Sequence, residues 1–358
     1  MPGPLFQIAR TGAAATRASL EVVAQNIANA SNPDYSRRTL ELRELVGVTP
    51  GRRGELALEQ SNLFEGLVEF EAVLTQLEGN PLEPVLRTNA LESARQLAGT
   101  IQFANTTLDT ARGQVQEAAT VSLDEANLQI EELARINRNI SNARSGTVGE
   151  AALLDARDAA LRILSQQIGI IASFDDRGRV NVRLDDASGG PGALLVDGFT
   201  TSAINNTTNA DGTLSFDVGG VAVDPARGAI AGQAAALDAQ ADFQTQLDDI
   251  AAQVIARSNA AQASGADQDG NAGQPLFAGT DASTITLALI SGRQLATALL
   301  GSPAGSTNTT NLASFAASIG ADDGPIATTD TLLLSLSSRI SAQDVTRSGL
   351  AAIAQNAE

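Results

Sequence analysis

Apolar residues recur along most of this chain at helical spacing, and one internal stretch switches to every second position. Residues 4–31 place Ile8, Ala15, Leu20, Val23 and Ile27 on a single stripe, which predicts an amphipathic helix that ends by Pro33. The alternation in TLELREL predicts a short extended segment over residues 37–46, after which TPGRRG resets the chain direction. A second stripe through Leu63, Leu67, Phe70, Leu74 and Leu77 predicts a helix over 56–78, stopped by Pro81 and Pro84.

The longest periodic run follows, from Pro84 to Arg144. Leu97, Ile101, Ala104, Leu108, Ala111, Val115 and Ala118 alternate steps of four and three, the spacing of a coiled-coil seam. The seam then shifts by one residue to Ala119, Leu123, Ala126, Ile130, Leu133 and Ile140, and such a phase change alters the local supercoil. A seam of this kind is more often internal core than a partner surface. A further helix is predicted over 151–167, with Leu153, Leu154, Leu161 and Leu164 inward. Residues 170–224 take period two and carry Gly, Asp and Asn turns, so they are predicted as β-hairpins. A helix over 230–263 returns, a loop-rich segment with one or two short helices follows to 323, and a last amphipathic helix is expected over 326–356.

The implied fold class is mainly α with a β insert: an elongated rod of long antiparallel helices carrying a small β-hairpin region. The organisation reads as an axial helix and extended segment (1–46), the first half of a long-helix rod (47–169), a β-hairpin region (170–229), a rod helix (230–263), a loop-rich segment (264–323) and a closing rod helix (324–358).

Composition narrows the chemistry. The 358 residues include no Cys, no His and no Trp, which leaves no disulfide, thiolate metal site or imidazole base. No cofactor and no metal site is expected, and a hydrolase would have to rest on Asp, Glu and Ser alone. Lys and Arg total 23 against 41 Asp and Glu, a net charge of −18 that repels phosphate backbones and anionic lipid, so neither nucleic acid nor a membrane is an expected partner. Only 3% of residues are aromatic while 43% are hydrophobic, a balance suited to closely packed helices. Asp155 and Asp158 flank Arg157 without a base nearby and read as a local ion-pair network. The DQDGN run lacks the spacing of a calcium loop and reads as a turn.

Three blocks carry a resemblance. NIANASNPDYSRR, at Asn26 to Arg38, resembles the N-terminal motif of flagellar axial proteins, N-x-A-N-x-x-T-P-G-Y-[ST]-R-Q, and Tyr35, Ser36 and Arg37 favour the version found in hook-associated protein 1. LLDARDAAL, at Leu153 to Leu161, is similar to LLDQRDxLV of that family, and DQDGNAGQPLFAG at Asp267 to Gly279 is similar to its loop after a helix. The chain is thus identified as a member of the flagellar hook-associated protein 1 (FlgK, hook–filament junction) family. Asn32, Asp34 and Arg38 depart from the usual Thr, Gly and Gln, the 46–56 connection is short, and IAQNAE ends where the family continues into a terminal helix. Helix 4–31 is therefore expected to lack its usual partner in the isolated chain.

The resemblance implies a non-enzymatic subunit exported by the flagellar type III apparatus, with an export chaperone, and assembled outside the cell as a ring of its own copies between the hook protein and the second junction protein. It also implies subunit contacts through Asn26, Ile27, Asn29, Pro33, Tyr35, Ser36 and Arg37, and a structural motif at Leu154, Asp155, Arg157 and Asp158. The competing readings are a helical coiled-coil adaptor and another flagellar axial protein of hook, rod or second-junction type.

Overall fold

A computed structural model describes residues 53–187 and 192–338. The predicted helix 4–31, the extended segment 37–46, the N-terminal motif and the end of the last helix lie outside the described residues. In chain order the described elements begin with helix α1 (Arg53–Glu78), α2 (Pro84–Asn142) and α3 (Val148–Gln167). Seven strands follow: β1 (Ile170–Phe174), β2 (Val180–Leu184), β3 (Leu194–Asp197), β4 (Thr200–Thr201), β5 (Ile204–Thr208), β6 (Leu214–Val218) and β7 (Val221–Val223). Helix α4 (Ala229–Ala263) returns along α2, and α5 (Thr310–Ile319) and α6 (325–338) close the described chain.

Helix α2 has 59 residues, about 88 Å at 1.5 Å per residue, and opens on Pro84 at its first turn, where a missing N–H costs nothing. Its seam is internal, and it serves two separate cores. The first holds Leu63, Leu67, Phe70, Leu74 and Leu77 of α1 against Leu97, Ile101, Ala104 and Leu108 of α2, with Leu247, Ile250 and Val254 of α4 and Phe315 and Ile319 of α5. Phe70 meets the rings of Phe315 and Phe277 edge-on, at centroid distances of 5.8 and 6.4 Å. The second holds Leu123, Ala126, Ile130, Leu133 and Ile140 of α2 against Leu164 of α3, Val180, Val182 and Leu184 of β2, and Ile204 and Phe216. The predicted phase change falls between these cores. Ala119 is buried while Ala118, its neighbour on the first seam, is exposed, so the shift is the point at which α2 changes partners.

Strands β1 to β4 form an antiparallel sheet in sequence order, with a bulge at Val182/Arg183, and β5 to β7 form a second meander. The loop-rich segment expected over 264–323, with one or two short helices, contains α5. It holds a 3₁₀ turn at Gly292–Gln294 and also two small ladders, β8 (Gly265–Ala266) with β11 (Ala298–Leu299) and β9 (Phe277–Ala278) with β10 (Thr286–Leu287). At two residues each, these strands are too short to leave a period-two signature. No helix among the described residues is long and apolar enough to cross a membrane.

Candidate functional site

For a chain without imidazole or thiol the site to look for is a surface, together with the contacts that hold it in shape. Between α1 and α2 an open cleft of about 160 Å³ is lined by Glu65, Glu69, Ser93, Gln96 and Thr100, a set of carboxylates, hydroxyls and amides. No group of three or more acidic residues that could hold a metal ion is found among the described residues.

The block around Leu154 is a docking element for the β1–β2 hairpin. The Arg157 guanidinium donates to the carbonyl of Gly178 and to Asp158 at 2.6 Å, and lies 4.5 Å from the centroid of the Phe174 ring. Gly178 has φ 78, and a Cβ there would stand 2.9 Å from Leu154 Cδ2, so both the backbone conformation and the close approach of α3 require glycine. The expected ion-pair network is narrower than its sequence suggests: Asp158 pairs with Arg157, whereas Asp155 is exposed. Asp155 stands two positions before Arg157, on the other side of the helix from it, while the guanidinium, already turned toward Gly178, reaches the adjacent Asp158.

A second set of contacts, absent from the sequence reading, fixes strands to helices. Asn137 is fully buried in α2; its Nδ2 donates to Val180 O and Gly198 O, each at 2.7 Å, and its Oδ1 accepts from Val180 N at 2.9 Å. Asn127 closes the same two-bond ring on Ile204, both bonds at 2.9 Å. Asn259 of α4 does so on Phe277, at 2.8 and 3.0 Å. A side-chain amide presents one donor and one acceptor in the geometry of a peptide, so each Asn adds a rung to a strand that a helix could not otherwise pair.

Arg87 is the most deeply buried charge among the described residues, 1% exposed. It donates to Pro81 O at 2.5 Å, Gly292 O at 3.0 Å, Leu295 O at 2.9 Å and Thr297 Oγ1 at 2.8 Å, and so ties 292–297 to the start of α2. Burial lowers the pKa of its guanidinium from the usual arginine value, opposed by the field of Asp267. Asp267 in turn organises the DQDGN turn, accepting from Asp269 N at 2.9 Å and Asn271 N at 2.8 Å, while Asp269 pairs with Arg293. The run is a turn, as expected. The predicted contact residues Asn26, Ile27, Asn29, Pro33, Tyr35, Ser36 and Arg37 lie outside the described residues.

Residues 55–277, from the first turn of α1 to Phe277 at the start of β9, match the family described as the flagellar hook-associated protein FlgK helical domain. The chain belongs to that family. Its fold is similar to that of the flagellar hook junction protein FlgK from Burkholderia pseudomallei, with a TM-score of 0.51 and 23% identity over 63% of this chain. The match spans 44% of the Burkholderia protein's length. No curated protein matches the chain. The FlgK helical-domain match takes in the second core, the α1, α2 and α4 side of the first, the Leu154 block and the Asn latches at 127, 137 and 259.

Proposed function

We propose that the chain is a structural subunit of the bacterial flagellum that joins hook to filament, working as a ring of packed copies and not as an enzyme. The observation that carries this reading is the family match over 55–277, the region in which one 59-residue helix threads two cores. A helix of that length, clamped at both ends by independent packing, transmits load along its axis without a loop to yield. The partners implied are other copies of the chain, the hook protein, the second junction protein and an export chaperone, with export through the flagellar type III apparatus to the cell exterior. The motif at Asn26, Ile27, Asn29, Pro33, Tyr35, Ser36 and Arg37 supplies contacts between subunits in this reading.

Deletion of the gene tests it. Cells should build hooks without filaments and lose flagellin to the medium, and the wild-type chain supplied in trans should restore filaments; normal swimming in the deleted strain sinks the proposal.

A further inference from the structure

Gly66 stands in the middle of α1, where glycine is the weakest helix former after proline, and the packing of the first core does not call for it. A Cβ at this position would meet only Leu97 Cδ1, at 3.7 Å, so the fold has room for alanine. What the missing methyl keeps open is the cleft between α1 and α2, of about 160 Å³, which Gly66 and Leu97 line on its apolar side.

The polar side of the cleft is set for a cation. Glu65 and Glu69 stand one turn apart on α1, and neither makes an ion pair among the described residues. Like charges at i, i+4 repel, so a cation between them relieves both. Across from them on α2, Ser93 is 8% exposed, and its hydroxyl has no hydrogen-bond partner among the described residues. A polar group that deep is normally bonded, which marks the hydroxyl as a contact for something entering the cleft. The side-chain amide of Gln96 is unbonded beside it. No arginine lines the cleft. The space is several times that of a bare ion or one water, and its walls combine an apolar strip with acceptors that diverge. A long side chain with an apolar stem and a planar head of several donors matches both, and arginine has that shape where lysine ends in a compact point charge.

We infer that the α1–α2 cleft receives an arginine side chain of a second copy of this chain. All 23 basic residues of the sequence are arginine and none is lysine, so a guanidinium is the one side-chain cation a copy can offer. Arg144, in the connection between α2 and α3, and Arg162, on α3, are exposed, and their guanidinium groups make no bond among the described residues. Both belong to the half of the molecule built on the second core, whereas the cleft belongs to the first, so the contact is head-to-tail: each copy gives an arginine to one neighbour and a cleft to another, the arrangement that propagates around a ring. The planar head donates to Glu65, Glu69 and Ser93 while the stem lies along Gly66 and Leu97. Selection is by the shape and donors of one side chain, since copies at net charge −18 repel as wholes.

The second copy comes from the ring-forming reading above, on which this inference rests, and the tests keep the two apart. N-acetylarginine amide titrated into the full-length chain should shift the amide NMR signals of residues 65–69 and 93–100 saturably. N-acetyllysine amide should bind about fivefold more weakly or worse, and calcium chloride should leave those signals in place. Gly66→Ala should raise the melting temperature by about 2 °C and yet remove the shifts, a pair of opposite effects that a glycine needed only for packing cannot give. In sedimentation at high protein concentration the wild-type chain should associate, and arginine amide should reverse it. The Gly66→Ala chain alone, and a chain carrying Arg144→Gln with Arg162→Gln alone, should stay monomeric. Mixed, the two should pair, because one keeps the arginines and the other the cleft. Shifts that persist in the Gly66→Ala chain, equal binding of the lysine amide, a calcium response, a monomeric wild type or no pairing on mixing overturns the proposal. If the wild-type chain restores filaments to the deleted strain and the Gly66→Ala chain does so equally, this contact is wrong and the junction role stands; if the wild-type chain restores none, the junction role itself fails.

Discussion

The two cores threaded by α2 are held by different means. In the first, helices pack mainly on helices, polar side chains such as Asn259 and Arg87 tie in the short strands and the 292–297 turn, and most of the cohesion comes from side-chain volume: a leucine ladder on α1 with Phe277 and Phe315 edge-on to Phe70. In the second, strands lie on a helix whose own backbone groups are already paired and can offer them nothing. There Asn127 and Asn137 reach out of α2 and pair with the strand backbone as a neighbouring strand would. Where helix meets helix the sequence must supply shape, and where helix meets strand it must also supply donors and acceptors. A substitution in the first region therefore costs cavity energy, and one in the second costs unsatisfied hydrogen bonds.

Phe315→Ala should break the comparison most strongly. The ring is 1% exposed and touches Phe70, so its removal should cost about 3–5 kcal/mol. Hydrogen exchange should accelerate across 63–108 and 310–319 while amides of β2, β5 and β6 keep their protection. Equal acceleration in both regions would mean that the cores are one cooperative unit. Next in size is Arg87→Met, which keeps apolar volume but strands the acceptors of Gly292, Leu295 and Thr297, for a loss of about 3 kcal/mol. The turn at 292–297 should lose exchange protection before α2 does, and unchanged protection there would deny Arg87 its anchoring role.

Much of the first region was legible because volume leaves a periodic trace. The stripe from Leu63 to Leu77 and the seam from Leu97 to Leu108 sit where their spacing put them, and the seam shift at Ala119 marks the change of core. The LLDARDAAL block placed α3 and the hairpin after it, and the family resemblance it carried agrees with the helical-domain match. Polar latches leave no period. Asn137 and Asn127 are two of six Asn in α2, and Asn is a poor helix former; a mid-helix Asn on the apolar face was the available signal. Arg87 could be read only as one more charge near a helix start. Three of its four acceptors come from more than 200 residues further along the chain, a pairing that local pattern cannot carry.

A smaller effect sharpens the second half of the comparison. Asn137→Ala removes both rungs to Val180 and the bond to Gly198 but deletes little volume, so about 2 kcal/mol should be lost through unpaired backbone groups alone. Asn137→Leu fills the space without restoring a donor or acceptor. If volume governed this region as it governs the first, the leucine variant would recover stability; the expected result is that both variants are equally destabilised in urea, with the loss concentrated in β1 to β4.

The smallest effect comes from a polar knot placed inside the volume-held region. Asp281, in the turn between β9 and β10, accepts from Ser283 Oγ at 2.7 Å, Thr284 Oγ1 at 2.9 Å and Thr280 Oγ1 at 3.0 Å, and these hydroxyls lower its pKa from 3.8 to about 2. A carboxyl more acidic in the folded chain than in the unfolded one stabilises the fold above about pH 4, and that contribution drains away as pH falls toward 2. Asp281→Asn should leave the neutral-pH fold nearly intact, because the adjacent Ala282 N still donates to Asp248. It should flatten the loss of exchange protection at 281–288 between pH 4 and pH 2 relative to the wild type. Identical acid profiles for the two chains would show that the turn is held by the packing of Ile285 and Ala282 in the first core, and that even here volume outweighs hydrogen bonding.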